Sequence, residues 1–288
     1  MVQQPDPTGP VIGVSWPRSG HHMLVRLLQL YFGPEFGYCD FYGGKPWVDE
    51  IETCCKQIPC VHADRIWLTK NHDFELNLPQ IPNQKYLIQY RDFAPSVVSN
   101  FELFVRNGGE DSVLAFRKFA SGEFTRYLGF VERWVTSEFA TDQLRLNYSV
   151  FLNDPHTELS RAVTFLNPGT PVDADRIAAA IANVDGEEIK QGRVKSLHKS
   201  GVHPERALSD FRHFSPALEM ELNNLHLSRS AVMEVFDSVL GRAPAEANVL
   251  RFQGFETREA LTEELVDTEE YRLRQQQIAQ DAAVGDET

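Results

Sequence analysis

No run of eighteen apolar residues occurs in this 288-residue chain, so no segment reads as a membrane span. Basic residues are in deficit, 28 Lys and Arg against 41 Asp and Glu, a net charge of −13. Nucleic-acid binders carry basic surfaces, so that class is set aside and no nucleic-acid partner is expected. The deficit is uneven: residues 245–288 hold 11 acids and 4 bases, a net of −7, leaving −6 on the first 244. The body is therefore acidic only mildly and can enclose a local basic pocket. Cysteine is scarce, with four at Cys39, Cys54, Cys55 and Cys60. None forms a C-x-x-C pair, and adding His62 does not restore a zinc spacing, so reduced, partly buried thiols are expected. The opening MVQQPDPTGP lacks both a charged n-region and an apolar h-region, which argues against a signal peptide and for residence in the cytoplasm.

One more absence bears on chemistry. Residues 11–32, VIGVSWPRSGHHMLVRLLQLYF, join a short β-branched run to a turn and then to apolar residues at helical spacing, Met23, Leu24, Leu27, Leu28, Leu30 and Tyr31. A strand, a glycine-bearing loop and a helix present free backbone N–H groups to an anion. The helix dipole adds partial positive charge and Arg18 adds a full one. A phosphate or sulfate ester suits that place. Yet the nucleotide-kinase pattern G-x-x-x-x-G-K-[ST] is missing: Gly13 lies seven residues before Gly20, and no Lys-Ser/Thr pair follows. Without that hydroxyl no Mg²⁺ ligand is evident, so ATP or GTP hydrolysis is disfavoured and no metal is expected. The alternative for this stretch is a plain βα turn that binds nothing.

What is present fills a large core, with 42% hydrophobic and 11% aromatic residues, as one big α/β domain or a domain with an appendage. Residues 33–46, GPEFGYCDFYGGKP, read as a loop that shapes a pocket, and VDEIETCCKQ as a weak helix. IWLT at 66–69 is a short strand that delivers Lys70, Asn71, His72 and Asp73 at its carboxyl end, where open parallel sheets bind ligands. Taken alone, His72 reads more readily as a surface-loop histidine. KYLIQY, 85–90, is the next strand, ending in Arg91-Asp92, and a helix follows over about 94–106, with Ser99 eight residues after Arg91. Residues 111–139 read as two amphipathic helices broken near Ser121-Gly122, with their aromatics in the core. LRLNYS, 144–149, is a strand; 156–167 and DADRIAAAIANV are helices. This alternation argues for a parallel sheet flanked by helices. QGRVKSLHKSGVHPE, 191–205, is the most basic stretch, either a solvated loop or a lid bringing cations to a phosphate.

Four separated elements together resemble the PAPS-dependent sulfotransferases, of the bacterial type. The family's P-[KR]-S-G-T-T loop, which binds the 5′-phosphosulfate, stands here as Pro17-Arg18-Ser19-Gly20-His21-His22. Its K-T-H segment is Lys70-Asn71-His72. Its strand-end Arg with a Ser eight residues on, both on the 3′-phosphate, is Arg91 with Ser99 in QYRDFAPSVVSNF. Its Y-E-D-L-x-x-D-P-x-x-x-L segment is NYSVFLNDPHTEL from Asn147. The match spans roughly residues 11–215. It implies a P-loop-like three-layer α/β core with a central parallel sheet. It also implies PAPS as cofactor, no metal, and sulfuryl transfer to a hydroxyl acceptor, a glycan or a small molecule, by in-line displacement. Arg18 and Lys70 would hold the sulfate and 5′-phosphate oxygens. His72 would be the base, a role suited to a group titrating near 7. From His21 to Gly33 there is no acid to act as the Glu base of the Golgi branch.

The chain departs from the family at three points. His21 and His22 replace the paired Thr, so imidazoles stand where hydroxyl donors would be. Met23 stands where an aromatic often stacks on adenine. The late R-K-G motif is echoed only by His198-Lys199-Ser200-Gly201, which places Lys199 on the 3′-phosphate. Two other readings stay open: a nucleotide- or sugar-kinase-like P-loop enzyme, and a binding protein that keeps Arg91 and Ser99 without a base. The expected division is an α/β domain over 1–225 and an acidic helical module over 226–288, with three short helices in 228–274 and a disordered last dozen residues. The tail resembles a bacterial helical module in which L-G-R-x-P precedes an S/T-E-[YF] element, here Leu240-Gly241-Arg242-Ala243-Pro244 and Thr268-Glu269-Glu270-Tyr271. A plain acidic extension reads equally well.

Overall fold

The computed structural model of the protein describes residues 9–48, 51–184, 202 and 205–285. Strand β1, Val11–Ser15, leads into α1, His21–Phe32. Two edge strands follow, β2 Tyr38–Asp40 and β3 Lys45–Pro46, then β4 Leu68–Asn71 and β5 Tyr86–Tyr90. Helices α2, Phe93–Arg106, and α3, Val113–Trp134, precede β6, Leu144–Asn147. Next come α4 Tyr148–Asn153, α5 Pro155–Leu166 and α6 Ala174–Asn183. The chain ends with α7 Pro216–Asn223, α8 Arg229–Leu240, α9 Val249–Phe252, α10 Arg258–Val266 and α11 Glu269–Gly285.

The strands form one sheet in the order β3-β2-β4-β1-β5-β6. Every pair is parallel except β2 with β3. The expected α/β class, a mostly parallel central sheet flanked by helices, is the fold observed. Strand β1 sits between β4 and β5, with Val14 opposite Asn71 and Ser15 opposite Gln89. Chain order therefore reverses at β1, and the carboxyl ends of β1, β4 and β5 meet at the place where such sheets bind ligands.

The chain divides into two units, residues 1–92 with 129–206, and 93–128 with 207–288. In the first, Leu24, Leu27 and Leu28 of α1 are fully buried with Leu159, Ala162 and Val163 of α5 and Ile177 and Ala180 of α6. On the carboxyl part of α3, Phe130 lies 5.5 Å from Trp16 and Trp134 lies 5.4 Å from Tyr86. In the second unit, α2 and residues 116–124 of α3 bury Val97, Phe101, Phe116 and Phe124 with Leu218, Leu222 and Leu250. Residues 227–271 add a separate cluster around Val232, Phe236, Val249 and Leu261. The boundary expected after residue 225 falls inside this second unit.

Several expectations shift. The strand placed at 66–69 is β4, Leu68–Asn71, because pairing with β1 starts at Leu68. Residues 33–46, taken for loop, contain β2 and β3, whose two or three residues are too few to show alternation. VDEIETCCKQ is not helical in its described part: Cys54 donates its N–H to the Gly44 carbonyl at 3.4 Å, and its side chains join a small cluster with Cys39, Cys60 and Ile66. The two helices expected over 111–139 are one, α3. Ser121 is tied down by Arg229 Nη1 at 3.2 Å and its carbonyl by Gln253 Nε2 at 3.3 Å, so packing overrides the Ser-Gly breaker. The tail has four helices rather than three, and α11 runs through residues expected to be disordered. The two tail motif pieces meet directly, with Arg242 Nη2 on Glu270 Oε2 at 2.6 Å.

Asp73, the residue after His72, anchors the end of β4. Its carboxylate accepts from Leu78 N–H at 2.7 Å and Trp134 Nε1–H at 2.7 Å, and pairs with Arg133 Nε at 3.4 Å. The Asp73 side chain is 1% exposed, so losing it strands two buried donors and a cation. Asp73→Ala is expected to cost about 3 kcal/mol in urea unfolding, and Asp73→Asn less, since the amide oxygen keeps one acceptor. A cost under about 0.5 kcal/mol would show that the segment is held by other contacts.

Candidate functional site

The turn between β1 and α1 is left-handed at two positions, Arg18 with φ 64° and Gly20 with φ 79°. A non-glycine residue with positive φ is strained, and such strain persists only where neighbours hold it. Here they do. The Trp16 N–H donates to the Gln89 carbonyl at 2.8 Å, Arg91 Nη1 donates to the Arg18 carbonyl at 3.4 Å, and the Tyr148 ring closes over Gly20. A β-carbon on Gly20 would stand 2.3 Å from that ring, so only glycine fits. Helix α1 starts with no side-chain cap and no acid in its first turn. The first-turn N–H groups have no partner within the helix, and the positive dipole end is uncompensated.

Lys70, His22 and His72 converge on this turn. Lys70 is 5% exposed and its Nζ lies 3.2 Å from His22 Nε2. An ammonium only donates, so Nε2 accepts and the His22 hydrogen sits on Nδ1. That Nδ1–H is buried and has no partner, and the same holds for Ser19 Oγ, Asn71 Nδ2 and Thr69 Oγ1. Ser19 Oγ, His22 Nδ1 and Asn71 Nδ2, at the turn and the end of β4, thus have no hydrogen-bond partner among the described residues, and a buried polar atom calls for one. The His22 ring stacks on Trp47 at 6.3 Å between centroids. His21 points elsewhere: its Nδ1 bonds Gln89 Oε1 at 2.7 Å and its Nε2 the Tyr38 hydroxyl at 3.1 Å, so both nitrogens brace the turn from the sheet side.

His72 Nδ1 lies 2.7 Å from the Ser15 carbonyl. A carbonyl only accepts, so the hydrogen is on Nδ1 and Nε2 carries the free lone pair, the tautomer of a general base. Tyr42 meets the ring edge-on at 4.8 Å and Phe74 stacks at 5.2 Å. Residues 33–46 thus do help to shape the surroundings of His72. Its pKa does not lie near neutrality, as the sequence suggests; it falls to about 4, chiefly through burial and then through the Lys70 charge. His22 also falls to about 4, from burial and then Lys70. His21 is lowered by burial first and then by Lys70 and the other two imidazoles. Lys70 itself is lowered by burial, with the Asp40 carboxylate acting in the opposite sense. The site is short of negative charge.

Arg91, at the end of β5, is 7% exposed. Its Nε donates to Glu205 Oε1 at 2.7 Å, Nη2 contacts the same oxygen, and its guanidinium lies 4.8 Å over the Tyr148 ring. Ser149 Oγ donates to the other Glu205 oxygen at 2.8 Å. A carboxylate therefore fills the position in front of Arg91. Pro17 is buried and Arg18 exposed within the turn, while Ser99 stands half-buried on α2, in the second unit. Lys199, with Arg193, Lys195, His198 and His203, lies outside the described residues. Sequence reasoning missed Tyr148, Glu205, Gln89, Tyr38 and Trp47. Tyr148 and Gln89 sit within the motif segments themselves, and Tyr38 and Glu205 within the 33–46 and 191–205 stretches, but nothing in the local pattern signals the long-range contacts they make. A cavity of about 840 Å³ opens at the amino-terminal ends of β5 and β6, lined by Lys85, Gln143, Leu144 and Phe165, at the opposite end of those strands.

Comparison with solved structures gives the mouse sulfotransferase SULT7A1 complexed with PAP, at 16% identity and a TM-score of 0.51, covering 76% of this chain and 83% of that one. The fold is therefore that of a sulfotransferase. No protein-family model matches the chain, and no curated protein matches it. No described helix is long and apolar enough to cross a membrane.

The depressed imidazoles set a pH dependence of stability. His22 and His72 take a proton at 6.5 when unfolded but only at about 4 when folded. Below 6.5 the unfolded chain binds more protons, so the contribution is intact above that pH and is lost as pH falls towards 4. The melting temperature of the unliganded protein is expected to drop over that window. His72→Gln should flatten the drop, by an amount on the order of 1–3 kcal/mol at its acid end. Parallel curves for the variant and wild type would contradict the buried neutral ring.

Proposed function

We propose that this protein transfers a sulfuryl group from PAPS to a hydroxyl acceptor, with His72 as the base. The observation that supports this is the His72 tautomer: Nδ1–H bound to the Ser15 carbonyl leaves Nε2 with the lone pair, next to the Lys70 cation and the Ser19 and His22 groups that have no partner among the described residues. The residues fit such a cofactor, because those donors and the uncapped helix end need an anion. The group supplies the activated sulfuryl and its phosphate leaving group. Within the chain, Pro17 fixes the entry to the turn, and the N–H groups of Gly20 to His22 meet anionic oxygens. Ser19 Oγ and His22 Nδ1–H take the place of hydroxyl donors, and His21 holds the turn in shape. Arg18 and Lys70 stabilise charge that grows towards the transition state. Arg91, released from Glu205, takes the 3′-phosphate, with Ser99 and Lys199 assigned to it from sequence. His72 Nε2 accepts the acceptor's proton. The Tyr42 and Phe74 rings flank it and suit the apolar face of a sugar or a small hydroxyl compound.

Glu205 gives this reading a specific consequence. A 3′-phosphate must displace its carboxylate from Arg91. Arg91→Ala is expected to weaken PAP binding by roughly 10- to 150-fold in calorimetry while AMP binding barely changes, since a charged hydrogen-bonded contact is worth about 1.5–3 kcal/mol. Glu205→Gln should instead tighten PAP binding, roughly three- to tenfold. Equal effects on PAP and AMP would make Arg91 a structural residue, and tighter binding of ATP than PAP by wild type would favour a kinase-like enzyme.

His72 separates an enzyme from a binding protein. His72→Ala should lower sulfuryl transfer, followed by isotope from PAPS to a panel of hydroxyl acceptors, by about 10²–10⁴-fold with PAP affinity close to wild type. Because burial keeps the ring neutral, kcat/KM should show no His72 limb between about pH 6 and 8. Full activity in His72→Ala would end the assignment.

A further inference from the structure

All four cysteines of the chain, far apart from the anion-binding turn in sequence, gather at one edge of the sheet. Cys39 on β2 and Cys60 are buried, and Cys54 and Cys55 are half-buried, all as free thiols. They share an apolar patch with Ile66, Val48 and Ile51. Cys55 Sγ and Cys60 Sγ are 3.6 Å apart, and Cys39 and Cys54 share the same patch. Among the described residues no group of three His, Cys, Asp or Glu converges in a way that could hold a metal ion.

We propose that Cys55 and Cys60 form a dithiol that closes to a disulfide by exchange with a small external disulfide of the glutathione type. Their sulfurs need to approach by about 1.5 Å, since a bonded pair lies near 2.05 Å. The two thiols differ in a way that assigns roles. Gln57 N–H donates to Cys55 Sγ at 3.5 Å, and Cys55 is the more accessible of the pair. Burial opposes its ionisation, but bonds at Gln57, Val61 and Cys60 outweigh it and lower the Cys55 pKa, whereas burial raises Cys60 to about 11. Cys55 is the attacking thiolate. It forms a bond to one sulfur of the external disulfide, whose S–S bond breaks, and the departing thiolate takes up the proton that Cys55 lost. Cys60, giving its proton to solvent, then attacks the Cys55 sulfur and expels the second thiolate, which is reprotonated. Two protein thiols lose two electrons and two protons, and the external disulfide becomes two thiols.

The segment that carries the pair is tied to residues 41–44, next to the site. The Cys54 N–H bonds the Gly44 carbonyl at 3.4 Å, and the Lys56 ammonium bonds the Phe41 carbonyl and covers the Phe41 ring at 5.1 Å. Tyr42, the next residue, donates its N–H to the Lys70 carbonyl at 3.0 Å and meets His72 edge-on at 4.8 Å. Closing the 55–60 loop therefore acts on the segment beside the base.

The test equilibrates the full-length protein in glutathione buffers of graded oxidised fraction, traps free thiols by alkylation, and maps peptides by mass. The expected result is loss of two free thiols per chain with Cys55 and Cys60 joined. Cys60→Ser should hold glutathione stably on Cys55, Cys54→Ser should still close the bond, and reduced wild type should alkylate at Cys55 roughly tenfold faster than at Cys39 or Cys60. Circular dichroism of each variant checks that it is folded. The proposal is overturned by a Cys39–Cys54 bond forming instead, by no bond forming at any poise, or by stoichiometric zinc holding the thiols in metal analysis.

Discussion

The left-handed turn from β1 into α1 is the constraint on which this structure depends. Backbone strain at Arg18 and Gly20 costs of order 1–3 kcal/mol at a non-glycine position and is tolerated only where the surroundings fix it. The surroundings come from four strands or strand ends: Gln89 and Arg91 of β5, Tyr38 of β2, Tyr148 after β6, and Ser15 of β1 itself. The turn delivers the start of α1, which has neither a side-chain cap nor an acid in its first turn. The topology places Lys70 and His72 there as well, because β4 pairs directly with β1. Two residues 50 or more positions from the turn become its neighbours through a strand register.

Charge follows from the same arrangement. Burial of Lys70 and three imidazoles in a small volume makes each of them reluctant to hold a proton, and Asp40 offsets that only in part. Arg91 is treated differently: Glu205 accepts from it, and Ser149 holds the other oxygen of that carboxylate. The two halves of the anion-binding region thus stand in different states. Near the turn, donors lack partners; at Arg91, an internal carboxylate supplies one. On the proposed reading, a bound dianion would satisfy the first and compete with the second, so affinity would reflect the difference between two anions rather than the strength of one contact.

The second unit and the cysteine edge show how packing assigns roles that composition leaves open. The acidic tail, net −7 over its last 44 residues, folds as helices whose apolar faces meet around Val232 and Leu261, while its charges pair on the outside, as Arg242 with Glu270. The four thiols, which have no motif spacing, are brought within reach of each other by β2 and the 54–60 loop.

The sequence by itself determined the βα order, the parallel sheet, the glycine-bearing turn and the strand ends that carry Lys70, His72 and Arg91. Each is a local pattern: β-branched runs, apolar residues at helical spacing, and a turn whose glycine has a conformational reason. It also marked the family likeness in which those elements take their order. What it left open was decided by contacts between distant residues. Which nitrogen of His72 and His22 carries hydrogen depends on Ser15 and Lys70; that His21 faces inward depends on Gln89 and Tyr38; that Arg91 meets a carboxylate depends on Glu205, 114 residues away. The low proton affinity of the imidazoles arises from burial. Burial is a property of the packed core, and no single stretch of the chain contains it.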